Sequence, residues 1–141
     1  MIYTIKTIQV KLDIKEPLTK ETIRAPEGIY AIAKELFKSL DADQEHFIMF
    51  ALDSCNKIRG YKIITSGGQN SASPDIKIIF RNALLLGAIS IIVAHNHPSG
   101  NCEPSSEDKM FTLNLKAAGE IIQIKVFDHI ILGDNTFKRI E

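Results

Sequence analysis

The residues of this chain best suited to chemistry lie between Ile91 and Asp108, in the run IIVAHNHPSGNCEPSSED. Its apolar, β-branched opening reads as a buried strand that delivers His95 and His97. Alternate strand residues face the same way, so the two imidazoles leave one side about 7 Å apart along the backbone, close enough to converge on one ion. Pro98 and Gly100 break the run, Pro104 restarts the chain as a helix, and Asp108 returns in its first turn. Two imidazoles and a carboxylate make a three-ligand set, and Zn²⁺ held by three protein groups keeps its fourth position for water. Ser105, three residues before Asp108 on the same helix face, can reach that water or a developing oxyanion. This is the layout of a hydrolytic zinc site. The same Ser105-x-x-Asp108 spacing also reads as a capping box, with the serine as N-cap and an acid three residues on. Spacing alone leaves both readings open.

These residues need a frame. Residues 2 to 12 alternate toward their end, with Ile8, Val10 and Leu12 on one side, which predicts a half-buried strand; residues 13 to 25 read as connection. Pro26 opens a helix to about Leu40, whose apolar stripe is Ile29, Ile32, Ala33, Leu36, Phe37 and Leu40. A polar turn leads to Glu45 and the strand HFIMFALD, which pairs with KIRGYKIIT as a hairpin. After a Gly- and Ser-rich loop (66 to 73), Pro74 starts a second helix to about Leu86. Ala88 to Ala94 is the central strand. The helix from Pro104 runs to Ala118, with Gly119 in the role of C-cap. Ile121 to Leu132 reads as two strands, or one bent around Asp128, and a turn at Asp134 and Asn135 precedes a short last strand. The order predicts an α/β domain, a mixed sheet with helices packed on its faces.

Bulk properties narrow the field. A chain of 141 residues is expected to form a single domain over residues 1–141, with strand and connection at 1–24 and the core at 25–141. Lys plus Arg and Asp plus Glu both number 17, so the net charge is zero, and no basic stripe marks a nucleic-acid binder. Nucleic acid therefore remains a partner that the charge does not support. Cys55 and Cys102 stand far apart and outside any C-x-x-C, which argues against a disulfide framework and a cysteine-rich zinc site; Cys102, in the turn between the histidines and Asp108, reads as a bystander rather than a ligand or redox group. No apolar run approaches a membrane span and no signal peptide is visible, so a cytoplasmic protein is expected. His46 and His129, each beside an acid, read as hydrogen-bonded structural histidines.

The run HNHPSGNCEPSSED resembles the JAMM signature of the MPN/JAB metallopeptidase family, in the version carried by RadC-like proteins. EHFIMFALDSCNKI resembles that family's first strand and hairpin, and FDHIILGD its closing strand, so the likeness covers about residues 25 to 141. It implies a single MPN/JAB-like domain of cytidine-deaminase-like fold. It also implies a zinc-dependent peptidase or isopeptidase acting on a peptide or protein. Carried over residue by residue, His95, His97 and Asp108 become zinc ligands, Ser105 supports the tetrahedral intermediate, and Glu45 handles the proton. By position alone Glu45 is a solvated acid at a strand's threshold, and Glu35 and Asp53 are the other candidates. SPDIKIIF lacks the His-Pro-Arg-Glu run usual in RadC-like sequences, and no N-terminal helix-hairpin-helix region is expected here. The alternatives are a DNA-repair-associated factor acting on or near DNA, which a family label implies, and a catalytically silent binding module.

Overall fold

A computed structural model describes Thr4 and residues 6–9, 22–67 and 74–141 (for 66 and 67 the backbone only). Among the described residues the fold is α/β, a mixed sheet of five strands with three helices, as the sequence predicts. In chain order these are α1 (Pro26–Phe37), β1 (Glu45–Leu52), β2 (Ile58–Gly67), α2 (Ile76–Leu85), β3 (Ser90–Asn96), α3 (Ser106–Ile122), β4 (Lys125–Gly133) and β5 (Thr136–Arg139).

The sheet order is β2-β1-β3-β4-β5, which puts β3 at its centre. β1 runs antiparallel to β3, β4 parallel to it, and the hairpins β1–β2 and β4–β5 close the two sides. Strand β3 is buried from Ser90 to His95 because both of its faces are covered, and that is why its sequence is continuously apolar. Met49, Ala51, Ile91 and Val93 face α2 and α3, packing with Ile79, Phe80, Phe111 and Leu115. Ile48, Phe50, Ile92, Ala94, Ile130 and Leu132 face α1, where Ile29 and Ala33 meet them. Strand parity then decides the site: His95 continues the Ile91–Val93 face toward α3, whereas Asn96 continues the face toward α1. Among the described residues, no helix is long and apolar enough to cross a membrane.

Several expectations need correcting. Of the predicted N-terminal strand, Thr4 and residues 6–9 are described and form no strand, and Ile8 is 90 % exposed; the remainder lies outside the described residues. Alternation makes a strand only when an edge accepts it, and among the described residues neither edge of this sheet does. Helix α1 ends at Phe37 rather than Leu40, because the amides of Ser39 and Leu40 turn back onto the carbonyls of Leu36 and Phe37. Helix α2 begins two residues after Pro74: Asp75 is its N-cap, accepting the Lys77 amide at 2.8 Å. Ile121 and Ile122 are helical, and β4 is one strand with a register shift opposite Ile91 and Ile92, leaving Phe127 as the extra residue.

Gly119 is not the C-cap. Helix α3 runs past it to Ile122, and Gln123 at φ 66° provides the left-handed stop. A glycine is needed at 119 because a Cβ there would meet the Ile124 carbonyl oxygen at 2.6 Å and Val126 Cγ2 at 3.2 Å. Gly119→Ala should therefore push α3 off the start of β4 and cost about 1–3 kcal/mol, read from urea denaturation. An unchanged unfolding free energy would show that the approach is not tight.

Candidate metal centre

The five residues singled out from the sequence collect at one end of β3. His95 Nε2 lies 3.1 Å from His97 Nε2 and 3.4 Å from Asp108 Oδ1, and His97 Nε2 lies 3.3 Å from Asp108 Oδ2. Glu45 Oε1 stands slightly farther off, 3.9 Å from His95 Nε2. Donor atoms of Glu45, His95 and His97 all fall within 4.8 Å of one another, so this cluster could hold a metal ion. The side chains are largely shielded, at 2 % exposure for His95, 18 % for His97, 17 % for Asp108 and 23 % for Glu45.

Each side chain is aimed by a local device. Phe47, paired across the sheet with His95, stacks on its ring at 5.8 Å between centroids. Phe111 meets Phe47 edge-on at 5.5 Å, making an apolar wall for the imidazole. His97 sits just past the strand, its amide bonded to the Leu132 carbonyl at 3.1 Å. Gly100, at φ 82°, turns the chain back so that the Asn101 carbonyl lies 2.8 Å from His97 Nδ1. A carbonyl only accepts, so Nδ1 carries hydrogen, and Nε2 is the nitrogen turned to Asp108 and left to bind an ion.

For Asp108 the capping box and the cluster are the same object. Ser105 Oγ accepts the Asp108 amide at 3.0 Å, and Asp108 Oδ2 accepts the Ser105 amide at 2.9 Å. The box fixes the carboxylate's rotamer and leaves Oδ1 turned to His95. Ser105 is exposed; its oxygen is engaged by the cap, and its hydrogen remains available to donate.

Glu45 is placed by a residue the sequence reading passed over. Asn96, between the two histidines, points to the opposite face of the sheet. Its Oδ1 accepts the His46 amide at 2.7 Å and its Nδ2 donates to the Gln44 carbonyl at 3.0 Å, bracketing Glu45 from both sides. The available signal was parity: the middle residue of His-x-His must face away from the ion. The other candidate acids lie elsewhere. Glu35 pairs with Lys38 on the exposed side of α1, and Asp53, beyond the far end of β1, accepts the amides of Cys55 and Lys57. His46 is buried with Nε2 2.7 Å from the Asp41 carbonyl, and Cys55 and Cys102 are free thiols outside the cluster. His129 is fully buried and hydrogen-bonded on both ring nitrogens, one of them to the cluster, with Nε2 2.8 Å from His95 Nδ1.

The proximity of these groups shifts their proton affinities. Burial pushes the Asp108 carboxyl up, but hydrogen bonds from His95, His97 and the Ser105 amide outweigh it and hold the group far below the usual carboxylate range. The bond to Asp108 raises His97 above its ordinary 6.5, whereas burial drives His129 well below it. In metal-free protein, His97 stabilises the fold fully below pH 6.5 and loses that effect as pH rises through its folded value. His129 does the reverse: below pH 6.5 the unfolded chain takes up the proton first, so stability falls with acid. The unfolding free energy should therefore peak near pH 6.5. On the acid side the decline from His129 approaches about 1.4 kcal/mol per pH unit, and His97→Gln should flatten the alkaline arm alone. Urea titrations of chelator-treated protein across pH check this; a profile rising through neutrality in both proteins would contradict it.

Comparison with known proteins gives a consistent result. The family model described as the RadC-like JAB domain matches residues 23–139. A UPF0758 protein of Desulforamulus reducens is 39 % identical over 94 % of this chain, which covers 61 % of that relative. A UPF0758 protein of Desulforudis audaxviator is 40 % identical over 82 % of the chain, covering 50 % of the relative. One from Methanosarcina acetivorans is 35 % identical over 88 %, covering 52 %. The chain thus spans about half to three-fifths of the length of these curated relatives.

Proposed function

Because this chain belongs to the RadC-like JAB domain family, and because of the geometry of its cluster, we propose that it is a zinc-dependent hydrolase of amide bonds. Its substrate class would be a peptide or protein. One observation carries the reading. A tetrahedral ion with bonds of about 2.0–2.1 Å to nitrogen and oxygen requires donor atoms about 3.3–3.4 Å apart. The His95 and His97 Nε2 atoms stand 3.1 Å apart, and the Asp108 carboxylate spans both, with Oδ1 3.4 Å from His95 and Oδ2 3.3 Å from His97. Each contact is close to one ligand-to-ligand spacing of such an ion, and the donor types, two imidazoles and a carboxylate, suit zinc.

His95, His97 and Asp108 would hold the ion. Zinc, when bound with an open position, supplies a Lewis acid that polarises a carbonyl and lowers the pKa of water to about 7. Glu45, just outside those contacts, would take a proton from the attacking water and return it to the departing nitrogen. The Ser105 hydroxyl would donate to the oxyanion of the tetrahedral intermediate. Phe47 and Phe111 close the inner side of the site, keeping bulk water from the His95 ring.

The test joins binding to chemistry. Protein loaded with zinc is incubated with a peptide library in ¹⁸O-water, and new C-termini are sought by mass spectrometry. Hydrolysis places ¹⁸O in each new carboxylate; stripping the metal should stop the reaction and added zinc should restore it. Wild-type protein that takes up no zinc would sink the reading outright.

A further inference from the structure

Behind the ligands lies a buried pair of residues that the proposed chemistry does not use. Thr112 sits one helical turn after Asp108, and its Oγ1 is 2.7 Å from the Asp108 carbonyl oxygen and 2.7 Å from His129 Nδ1. On its other side His129 reaches His95, Nε2 to Nδ1, at 2.8 Å. Exposure is 2 % for Thr112, 0 % for His129 and 1 % for His95, so water does not compete for these bonds.

The position of every hydrogen in this chain follows from its end. A carbonyl oxygen carries none, so the single hydroxyl hydrogen of Thr112 must point to Asp108. Turned the other way, it would leave two oxygen lone pairs facing at 2.7 Å. Thr112 Oγ1 can then only accept from His129, which places a hydrogen on His129 Nδ1. The His129 ring is fully buried against Phe47 and Phe111, at 5.5 and 6.2 Å between centroids, an environment that disfavours a charged imidazolium. Its Nε2 is therefore bare, and the hydrogen between the two rings belongs to His95 Nδ1. With Nδ1 committed in this way, Nε2 is the nitrogen His95 presents to His97 and Asp108, and the one left to give its lone pair to an ion.

We propose that Thr112 and His129 are positioning residues of the metal centre, a relay that fixes His95 in the tautomer with a bare Nε2. It also ties this β3 ligand to the turn of α3 that carries Asp108. The proposal rests on the metal-centre reading above. A ligand histidine whose far nitrogen donates to a fixed acceptor is held in one tautomer and one ring orientation, and loss of such a partner typically weakens binding by about 10–100-fold.

Two measurements test it. In zinc-loaded wild-type protein, long-range ¹H–¹⁵N correlation spectra of the imidazoles should show His95 with hydrogen on Nδ1 and none on Nε2. Thr112→Val keeps the shape of the side chain but removes the acceptor; it should populate the opposite tautomers of His129 and His95. Zinc affinity, from competition with a chromogenic chelator, should fall by about 10–100-fold, whereas Thr112→Ser, which restores the hydroxyl, should stay within about threefold of wild type. Hydrogen on His95 Nε2 in the wild-type spectrum overturns the relay, and this reading requires no variant to fold. So does Thr112→Val with unchanged affinity in a protein that binds zinc. Wild-type protein without zinc affinity overturns instead the metal centre on which the relay depends.

Discussion

Asp108→Ala and His97→Ala should each lower zinc affinity by roughly a thousandfold, the scale expected when one ligand of three is lost from a site worth more than about 10 kcal/mol. The two variants should differ in stability. Asp108 is both a proposed ligand and the N3 acid of the capping box, so its loss also leaves the Ser105 amide without its acceptor and should cost about 1 kcal/mol. His97 lies outside any regular element, and its removal should leave α3 intact. Asp108→Asn separates the two roles: the amide oxygen can still accept from Ser105, but the negative charge facing both imidazoles is gone. Chelator competition and urea unfolding on the same samples measure both effects. Equal zinc affinity in wild type and all three variants would remove the ion from between these residues.

Glu45→Gln should leave zinc affinity within a few-fold of wild type and reduce amide hydrolysis by about 10²–10⁴-fold, the usual contribution of a general acid–base group. The prediction depends on distance. Glu45 stands 3.9 Å from the His95 donor and within 4.8 Å of the His97 donor, whereas Asp108 lies at 3.4 and 3.3 Å from the two. The nearer carboxylate is assigned to the ion and the farther one to the proton. The ¹⁸O assay reads turnover and chelator competition reads binding. If Glu45→Gln loses zinc as Asp108→Ala does, Glu45 is itself a ligand, and the two carboxylates must exchange roles.

Much of this site was readable before any coordinates, and what was readable shared one property. The convergence of His95 and His97 follows from strand parity, and the return of Asp108 follows from a turn and a helix start; both are local rules acting within a few residues. The capping-box reading of Asp108 holds, and it does not turn the residue from the cluster, since one carboxylate oxygen serves the box and the other faces His95. What could not be read depends on which elements become neighbours. Thr112 and His129 matter only because α3 packs over β4, and Asn96 only because β1 lies beside β3. Gly119 was misread for the same reason: a glycine near a helix end suggests a cap, but here close approach to Ile124 requires it. The N-terminal alternation misled because periodicity describes a face and says nothing of a partner for the backbone.

The Asn96 brace has a mechanical consequence. Asn96 grips the main chain on either side of Glu45, while its two sequence neighbours are the histidines, so acid and imidazoles belong to a single rigid ladder. The gap between Glu45 and the two histidines is then set by backbone pairing rather than by the swing of a long side chain. Loops at the sheet's far end, such as the turn after Asp53, can lengthen or shorten without detuning that gap. A slip of one step between β1 and β3 would turn Glu45 to the wrong side of the sheet, so tolerance to insertion should fall sharply from one end of these strands to the other.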